Sequence, residues 1–572
     1  MFPGPRRCEF MHNHKILRIA SVHTRLQESL SKELKISKIL AQILANRGIA
    51  SVGQAEEFLN VRLEHLLDPF SFRQMSKAVE RIKEAKSKKE KTLIFGDYDV
   101  DGITSVALLK DSLRRMGLAV LHYMPHRIKE GYGLTKNILQ IAKENKVRLL
   151  ITVDCGIANP REIEELRKNN IDTIITDHHE PQAGNLPSAF SIINPKVEGS
   201  GYQYRELAGV GVAYKLCQAL SNSKLLDELD LVALGTVADV VPLTGENRVL
   251  VKEGLSRLSA SKRPGLRALI EEAGIKNKKF NTTSISFILA PRLNASGRMD
   301  SAETSFNLLM SPDMQKAQTL SKALEQHNRA RQKIESKIME EAEDIINREV
   351  NFKEHKVIVV AKDDWHQGVL GIVASKLADR FYRPAIVISL NEKMGKGSGR
   401  SIKNFHLSRA LGECRQFLRT FGGHAHAVGL TITRESVDNF RKSINQLAQD
   451  KLSLEDLLPS LDIDIELDLG SLTERLVEEL EKLEPFGSGN PEPLFYTRGL
   501  KLKGEPQSLG RQTLKFWVTD GKVTLQVIGF GMASLLASLL EAKSLDIVYT
   551  PRMDNWRDDS SIILEARDIF FR

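Results

Sequence analysis

The sequence predicts an α/β protein: a parallel-sheet domain, joined by a long helix to a smaller α/β domain and followed by a small β-barrel or sandwich. Three observations carry this. Between residues 92 and 176, short apolar runs alternate with amphipathic helices, the pattern of a parallel sheet covered on both faces. Residues 314–350 form one polar helical stretch without Gly or Pro. After EPFGSGNPEPLF (484–495), short runs such as LKFWV, LQVIGF, LDIVYT and SIILEA alternate with turns.

In chain order, residues 1–75 read as an N-terminal helical segment, because the apolar positions of ISKILAQILANRGI recur at helical spacing and Gly48 stops that helix. The charged helix AVERIKEAKSKKEK opens the first α/β domain, residues 76–300. Its strands are TLIF (92–95), AVLHYM (119–124), RLLITV (148–153) and DTIIT (172–176). Residues 301–350 are the connecting segment, whose long helix carries Leu320, Leu324, Ile334, Ile338, Ala342 and Ile345 as its apolar stripe. The second α/β domain, 351–450, contains VIVVA (357–361), a helix from Gly368 to Tyr382 and PAIVIS (384–389). Residues 451–572 form the β-rich tail.

Composition narrows the classes. The 572 residues suffice for about four domains at roughly 150 residues each. The net charge of +9 fits a polyanionic partner. Four scattered cysteines, none in a CxxC pair, predict a reduced intracellular chain without a zinc or disulfide framework. The first residues lack an apolar signal core, and no run approaches the roughly 18 apolar residues of a membrane span. A cytoplasmic protein with no membrane association is expected.

The chemistry is concentrated after the strands. TLIF runs into GDYDVDG, with Asp97, Asp99 and Asp101; RLLITV into Asp154, Cys155 and Gly156; DTIIT into Asp177, His178 and His179. Ligands of an open parallel sheet bind beyond the carboxyl ends of its strands, so these clusters converge on one crevice. Asp239, in TVADVVPL, is a further acid within reach. Three aspartates at two-residue spacing project the same way if extended. Such carboxylates repel one another, and divalent cations remove that penalty. Carboxylates with an imidazole suit Mn2+ or Mg2+ rather than a thiolate-bound metal. Two ions roughly 3.5–4 Å apart would activate water and stabilise both oxygens of an in-line displacement at phosphorus. A single DxD after a strand is ordinarily a turn or a helix cap; several acidic or imidazole clusters at successive strand ends are hard to explain that way.

GDYDVDG, VDCG, DHH and ADVVPL, in this order, resemble the motifs of the DHH phosphoesterase superfamily, and within it those of the RecJ exonucleases. The likeness continues upstream through NRGI, EEFL, DPF and MSKAVERI. Downstream it runs through PRLNASGRM, LEQHNRARQ, HQGVLGIVASKLADRFYRP, GRS and GGHAHAVGL to EPFGSGNPEPLF. About nine tenths of the chain is covered. The resemblance implies a DHH catalytic domain, a DHHA1 substrate-holding domain and a C-terminal OB-like barrel. It implies Asp99, Asp101, Asp154, His178 and Asp239 as metal ligands, with Asp154 between two ions, and Asp97 and His179 as orienting residues. Many superfamily members carry a His where Phe95 stands, which removes one possible ligand here.

In the second domain, Gly-rich turns can aim N–H groups at phosphate and arginine can clamp it. Arg400 and Ser401 in KGSGRS and His424 in GGHAHAVGL are the candidates, with Arg298 of NASGRM and His366 of WHQGVLG, which precedes a helix N-terminus. In the tail, Phe516, Trp517, Phe530, Tyr549 and Trp556 must mostly be core, with one or two at most free to stack on bases.

By resemblance, the activity implied is 5′→3′ hydrolysis of single-stranded DNA to 5′-mononucleotides, in DNA repair and recombination, by a monomer. The sequence has no GxxxxGK[ST] loop, so neither ATP dependence nor helicase activity is expected; the resemblance implies a separate helicase and a single-strand-binding protein as partners. Two alternatives share the metal motifs. Phosphoesterases of short RNA or cyclic dinucleotides are typically shorter and lack the N-terminal segment and the tail. A non-catalytic DNA-binding protein on a decayed fold would have lost ligands that are present here.

Overall fold

In the first sheet, strands Lys91–Gly96 and Val147–Val153 are buried on both faces over nearly their whole length, as their uninterrupted apolar runs require. The computed structural model describes residues 7–12, 15–135, 137–182, 184–276, 280–554 and 561–572. These residues fall into two compact units. One comprises Leu63–Leu457; the other combines Met1–Arg62 with Leu458–Arg572.

The Leu63–Leu457 unit begins with that parallel sheet, in the order Val120–Tyr123, Lys91–Gly96, Val147–Val153, Asp172–Thr176, Ser191–Ile193. Period-2 alternation divides its side chains between two cores. Ile94, Ile151 and Ile174 face the helix Val100–Arg115, while Leu93, Leu150 and Ile175 face Ile138–Glu144 and Pro160–Lys168. The second strand of the domain lies on one side of Lys91–Gly96 and the third on the other. Connections therefore diverge at this strand, which opens a crevice beyond its carboxyl end. The edge strand Ser191–Ile193 is too short to be distinctive in sequence.

The helix Met314–Glu349 is 36 residues long, about 54 Å at 1.5 Å per residue. Ala317 and Leu324 lie in the core of the first domain, and Ile338, Ala342 and Ile345 in that of the second. The second sheet runs Leu418–Gly423, Ala427–Thr433, Met394–Arg400, Ala385–Leu390, Ile358–Asp363, with only the last two parallel. Here the structure corrects one expectation: KGSGR is not a turn but part of the strand Met394–Arg400, with Ser401 directly after it. Its alternate glycines permit close packing, since a Cβ at Gly397 would lie 3.0 Å from Leu430 Cδ1 and 3.1 Å from Ile388 Cγ1.

The other unit also departs from the sequence reading at its start. Lys15–Ala20 is a strand, paired antiparallel to Arg7–His12 and parallel to Ser460–Ile463, where a helical segment is expected. The partner lies at the far end of the chain, so local periodicity does not report it. The helices Thr24–Leu34, Lys38–Asn46 and Val52–Leu59 follow. Leu40, Ile43 and Leu44 share one core with Phe495, Phe516 and Leu545. Strands Phe495–Leu509, Thr513–Thr519, Thr524–Phe530, Ser561–Phe571 and Leu545–Asp554 close into a barrel through pairing of the first with the last. Phe516 and Tyr549 are buried in it, whereas Trp517 is 41% and Phe530 62% exposed. Trp556 lies outside the described residues.

Gly235, on the helix Leu229–Ala238, is a tight fit near the crevice: a Cβ there would fall 2.4 Å from Thr104 Oγ1 and 3.0 Å from Asp101 Oδ1. Gly235→Ala is expected to cost about 1–3 kcal/mol, read as a lower denaturant midpoint. Gly412→Ala, where nothing lies within 4 Å of the added Cβ, should be neutral or slightly stabilising.

Candidate metal centre

The carboxylates of the crevice reach it by different backbone routes. Asp97 follows the strand Lys91–Gly96 directly. Asp99 caps the helix Val100–Arg115, its Oδ1 accepting from Gly102 N at 3.2 Å. Asp101 sits in that helix's first turn. The three are thus not presented by an extended segment, as alternation alone would have it; the strand-to-helix turn gathers them instead. Gly102 makes the turn possible, since a Cβ there would lie 2.5 Å from Asp97 O.

Asp154 follows the strand Val147–Val153 with φ at +57°, in the left-handed region that non-glycine residues rarely adopt. Gly209 leaves room for it: a Cβ at that position would lie 2.7 Å from Asp154 Cβ. The helix Gly209–Ser221 starts there, and its Gly209 and Val210 N–H groups donate to the Asp101 carboxylate at 2.7 and 2.8 Å. Asp239 ends the helix Leu229–Ala238.

His178 Nε2 lies 3.1 Å from Asp154 Oδ1, 3.6 Å from Asp239 Oδ2 and 3.9 Å from Asp101 Oδ2. Donor atoms within 4.8 Å of one another form three groups: Asp101, His178 and Asp239; Asp97, Asp99 and Asp154; and Asp154, His178 and His179. Burial, then the charge of Asp99, raises the Asp101 carboxyl to about 7. Burial and neighbouring aspartates push Asp97, Asp154 and Asp239 well above the usual carboxylate range. Burial, then His179, pushes the His178 imidazole down to about 3, so it is neutral. Asp97 Oδ1, Asp154 Oδ1 and His178 Nε2 are buried without a hydrogen bond. Unsatisfied buried acceptors, clustered carboxylates and a neutral imidazole are what a divalent cation of the Mn2+ or Mg2+ type binds.

Asp177, counted in the sequence only as part of its triplet, holds this loop in shape. Its Oδ1 accepts from His178 N at 2.7 Å, His179 N at 3.1 Å and His179 Nδ1 at 2.8 Å, and its Oδ2 from Ile157 N at 2.9 Å. Burial alone would raise its pKa, but the His179 hydrogen bond and charge hold it below the usual carboxylate range. Phe95 is fully buried and stacks on Tyr123 at 5.6 Å.

Beside the acids lies a cleft of about 910 Å³ between the two α/β domains of this unit, lined by Tyr98, Arg127, Tyr132, Ser398, Arg400 and Gly422 among others. Of the sequence candidates, Arg400 lines it directly. Arg298 is half-buried beside it, with Nη1 donating to Gly368 O at 3.2 Å. Burial and the neighbouring Arg127, Arg331 and Arg400 lower its guanidinium to about 9. His424 stands within electrostatic reach of His179 and Lys196. His366 and Ser401 have local roles: His366 Nδ1 caps Gly368 N at 3.2 Å, and Ser401 Oγ donates to Phe405 O at 2.6 Å. Arg127 and Tyr132 escaped the sequence reading. Arg127 stacks over Tyr98 at 4.8 Å, and the Tyr132 hydroxyl lies 3.1 Å from His179 Nδ1.

Comparison with known proteins agrees with this geometry. Residues 91–236 match the DHH family N-terminal domain, 354–450 the DHHA1 domain and 463–568 the RecJ OB domain. The single-stranded-DNA-specific exonuclease RecJ of Bacillus subtilis is 39% identical over 95% of this chain and 69% of its own length. RecJ of Dickeya dadantii is 34% identical over 92% of this chain and 95% of its own. The chain belongs to the RecJ family. Solved structures of RecJ from Thermus thermophilus extend the agreement to the fold. The complex with Mn2+ superposes with a TM-score of 0.83 at 28% identity, covering 97% of this chain and 79% of that one. The complex with Mg2+ gives 0.76 at 26% identity, covering 97% and 78%. As a RecJ-family chain, it has the parallel-sheet, DHHA1 and closed-barrel architecture expected from its sequence.

Because Asp177 orients His179 and pins the loop bearing His178, Asp177→Asn should lower Mn2+ affinity about 10–100-fold with little change in fold. Titration calorimetry checks this; unchanged affinity would show that the loop holds its shape without the carboxylate.

Proposed function

We propose that this protein is a metal-dependent exonuclease specific for single-stranded DNA, which cleaves from the 5′ end and releases 5′-mononucleotides during DNA repair and recombination. The observation that carries the reading is the cationic cleft of a RecJ-family chain, whose lining Tyr132 hydrogen-bonds Asp154 O and His179 of the acidic cluster. In this reading Asp99, Asp101, Asp154, His178 and Asp239 hold two Mn2+ or Mg2+ ions. Asp154, which belongs to two of the three donor groups, stands between them. Asp97 shares a group with Asp99 and Asp154, so it is near enough to be a ligand as well as an orienting residue. When bound, such ions lower the pKa of water and offset charge at the scissile phosphorus.

The chain's own groups do the rest. Arg298 faces the scissile phosphate, its positive charge uncompensated by any acid bonded to it among the described contacts. Arg127, Ser398 and Arg400 line the 910 Å³ cleft, a volume in the roughly 300–1,000 Å³ range of small-molecule pockets and thus suited to about one nucleotide. A terminal 5′-phosphate carries more charge than an internal diester, so a cleft with two arginines favours that end. His179, held by Asp177 and touched by Tyr132, is placed to position the reacting groups. His366, Ser401 and His424 support the walls of the cleft. In the barrel, the exposed Trp517 and Phe530 are the aromatics available to stack on bases. We place the enzyme in the cytoplasm as a monomer, working on strands that a helicase opens and a single-strand-binding protein coats.

Single-stranded DNA labelled at either end, incubated with Mn2+ beside duplex and dinucleotide controls, tests the proposal. Stepwise release of mononucleotides from the 5′ end of the single strand is expected, and Asp154→Ala should lose it while retaining strand binding. Cleavage confined to dinucleotides would move the protein to the short-substrate phosphoesterases.

A further inference from the structure

Arg298, bonded to Gly368 of the large cleft, itself lines a second cavity of about 170 Å³, together with Ala238, Val240, Ser286, Asn294 and Arg331 among others. Arg331, on the helix Met314–Glu349, is buried, and its Nε makes no hydrogen bond. Its Nη1 donates to Glu335 Oε2 at 2.7 Å and its Nη2 to Asn328 Oδ1 at 2.8 Å. Glu335 does not neutralise the region, because its other oxygen is taken by Lys376 at 2.6 Å. The buried Arg331 thus shares its carboxylate with the solvent-exposed Lys376, and the half-buried Arg298 beside it adds a positive charge that no carboxylate contacts among the described pairs. Buried positive charge in excess is costly unless an anion completes it.

Two backbone irregularities border the same cavity. Val240, directly after Asp239, has φ at +63°, an outlier for a β-branched residue, and is 66% exposed. Ser286 lies on the π-helical turn Ser284–Leu289, a form that recurs at functional sites. Its neighbour Phe287 is 77% exposed. The cavity is too small for a nucleotide, being below the roughly 300 Å³ of small ligand pockets, yet roomy for a phosphate group.

From this convergence we infer that the Arg331 cavity is a second phosphate subsite. It takes the internucleotide phosphate that follows the scissile one, while Val240 and Phe287 offer apolar surface to the adjoining base. The inference rests on the exonuclease reading: the terminal nucleotide occupies the large cleft on one side of Arg298, so the retained strand leaves on the other. Arg331 then holds the strand between successive cuts.

The test uses 5′-phosphorylated single strands in which one linkage is an uncharged methylphosphonate, with release of the first nucleotide as the readout. In the wild-type enzyme, neutralising the second linkage from the 5′ end should raise KM about tenfold, the size of one charge-assisted hydrogen bond. Neutralising the fourth should have little effect. In Arg331→Gln, the all-phosphate strand should already show the raised KM, and the second-linkage penalty should vanish. Arg331→Lys, which keeps the charge beside Glu335, should retain part of that penalty and serves if the Gln variant does not fold. An equal penalty in wild type and variant, or none at the second linkage, overturns the subsite. Failure of the wild-type enzyme to cleave even the all-phosphate strand would instead overturn the exonuclease reading beneath it.

Discussion

Mutual repulsion among Asp97, Asp99, Asp101, Asp154 and Asp239 is the constraint around which the catalytic unit is organised. Two unit charges 4 Å apart interact by about 4 kcal/mol at an effective dielectric of 20, and here the carboxylates of each donor group lie within 4.8 Å of one another. The raised pKa values of Asp97, Asp101, Asp154 and Asp239 express burial first and this repulsion second. The fold compensates only in part. The N-terminus of the helix Gly209–Ser221 gives Asp101 two N–H donors, but Asp154 Oδ1 and Asp97 Oδ1 have none. The remaining charge is a demand for cations.

Meeting that demand at fixed positions requires a rigid frame. The parallel sheet supplies strand ends, the left-handed Asp154 turns its carboxylate inward, and Gly102, Gly209 and Gly235 allow backbones to approach where any Cβ would collide. Asp177 fixes the two histidines behind them. The helix Met314–Glu349 contributes residues to both cores, and Arg400 of the second domain lines the cleft with Arg127 of the first. Anionic cluster and cationic wall together describe a site for a phosphodiester with its metals.

The parts written in local pattern were legible in the sequence. The long buried strands announced themselves as apolar runs, and Asp97, Asp154 and Asp177 each followed one, because chemistry in parallel sheets sits at strand ends. What depends on distant pairing was not legible. Lys15–Ala20 is a strand only because Ser460–Ile463 lies beside it. KGSGRS looks like a flexible turn until its glycines are seen packed against Leu430 and Ile388. Asp177 stood in plain sight, but its four hydrogen bonds are a property of loop geometry. Arg331 lies in a charged helical stretch that reads as a solvated face, and only the burial of that face by both domains turns it inward. The N-terminal helices read as accessory; they share one core with the barrel, so the two ends of the chain form a single body.

Everything else depends on whether the acidic cluster is strained by its own charge and satisfied by metal. Thermal denaturation of the metal-free protein and of Asp154→Asn, each with and without Mn2+, addresses this directly. The wild-type melting temperature should rise with Mn2+, by the equivalent of about 2.7 kcal/mol at a hundredfold excess over Kd. The metal-free variant, relieved of one buried charge, should melt higher than the metal-free wild type and gain far less from Mn2+. A wild-type protein indifferent to Mn2+, or a metal-free variant less stable than the parent, would contradict that picture of the site.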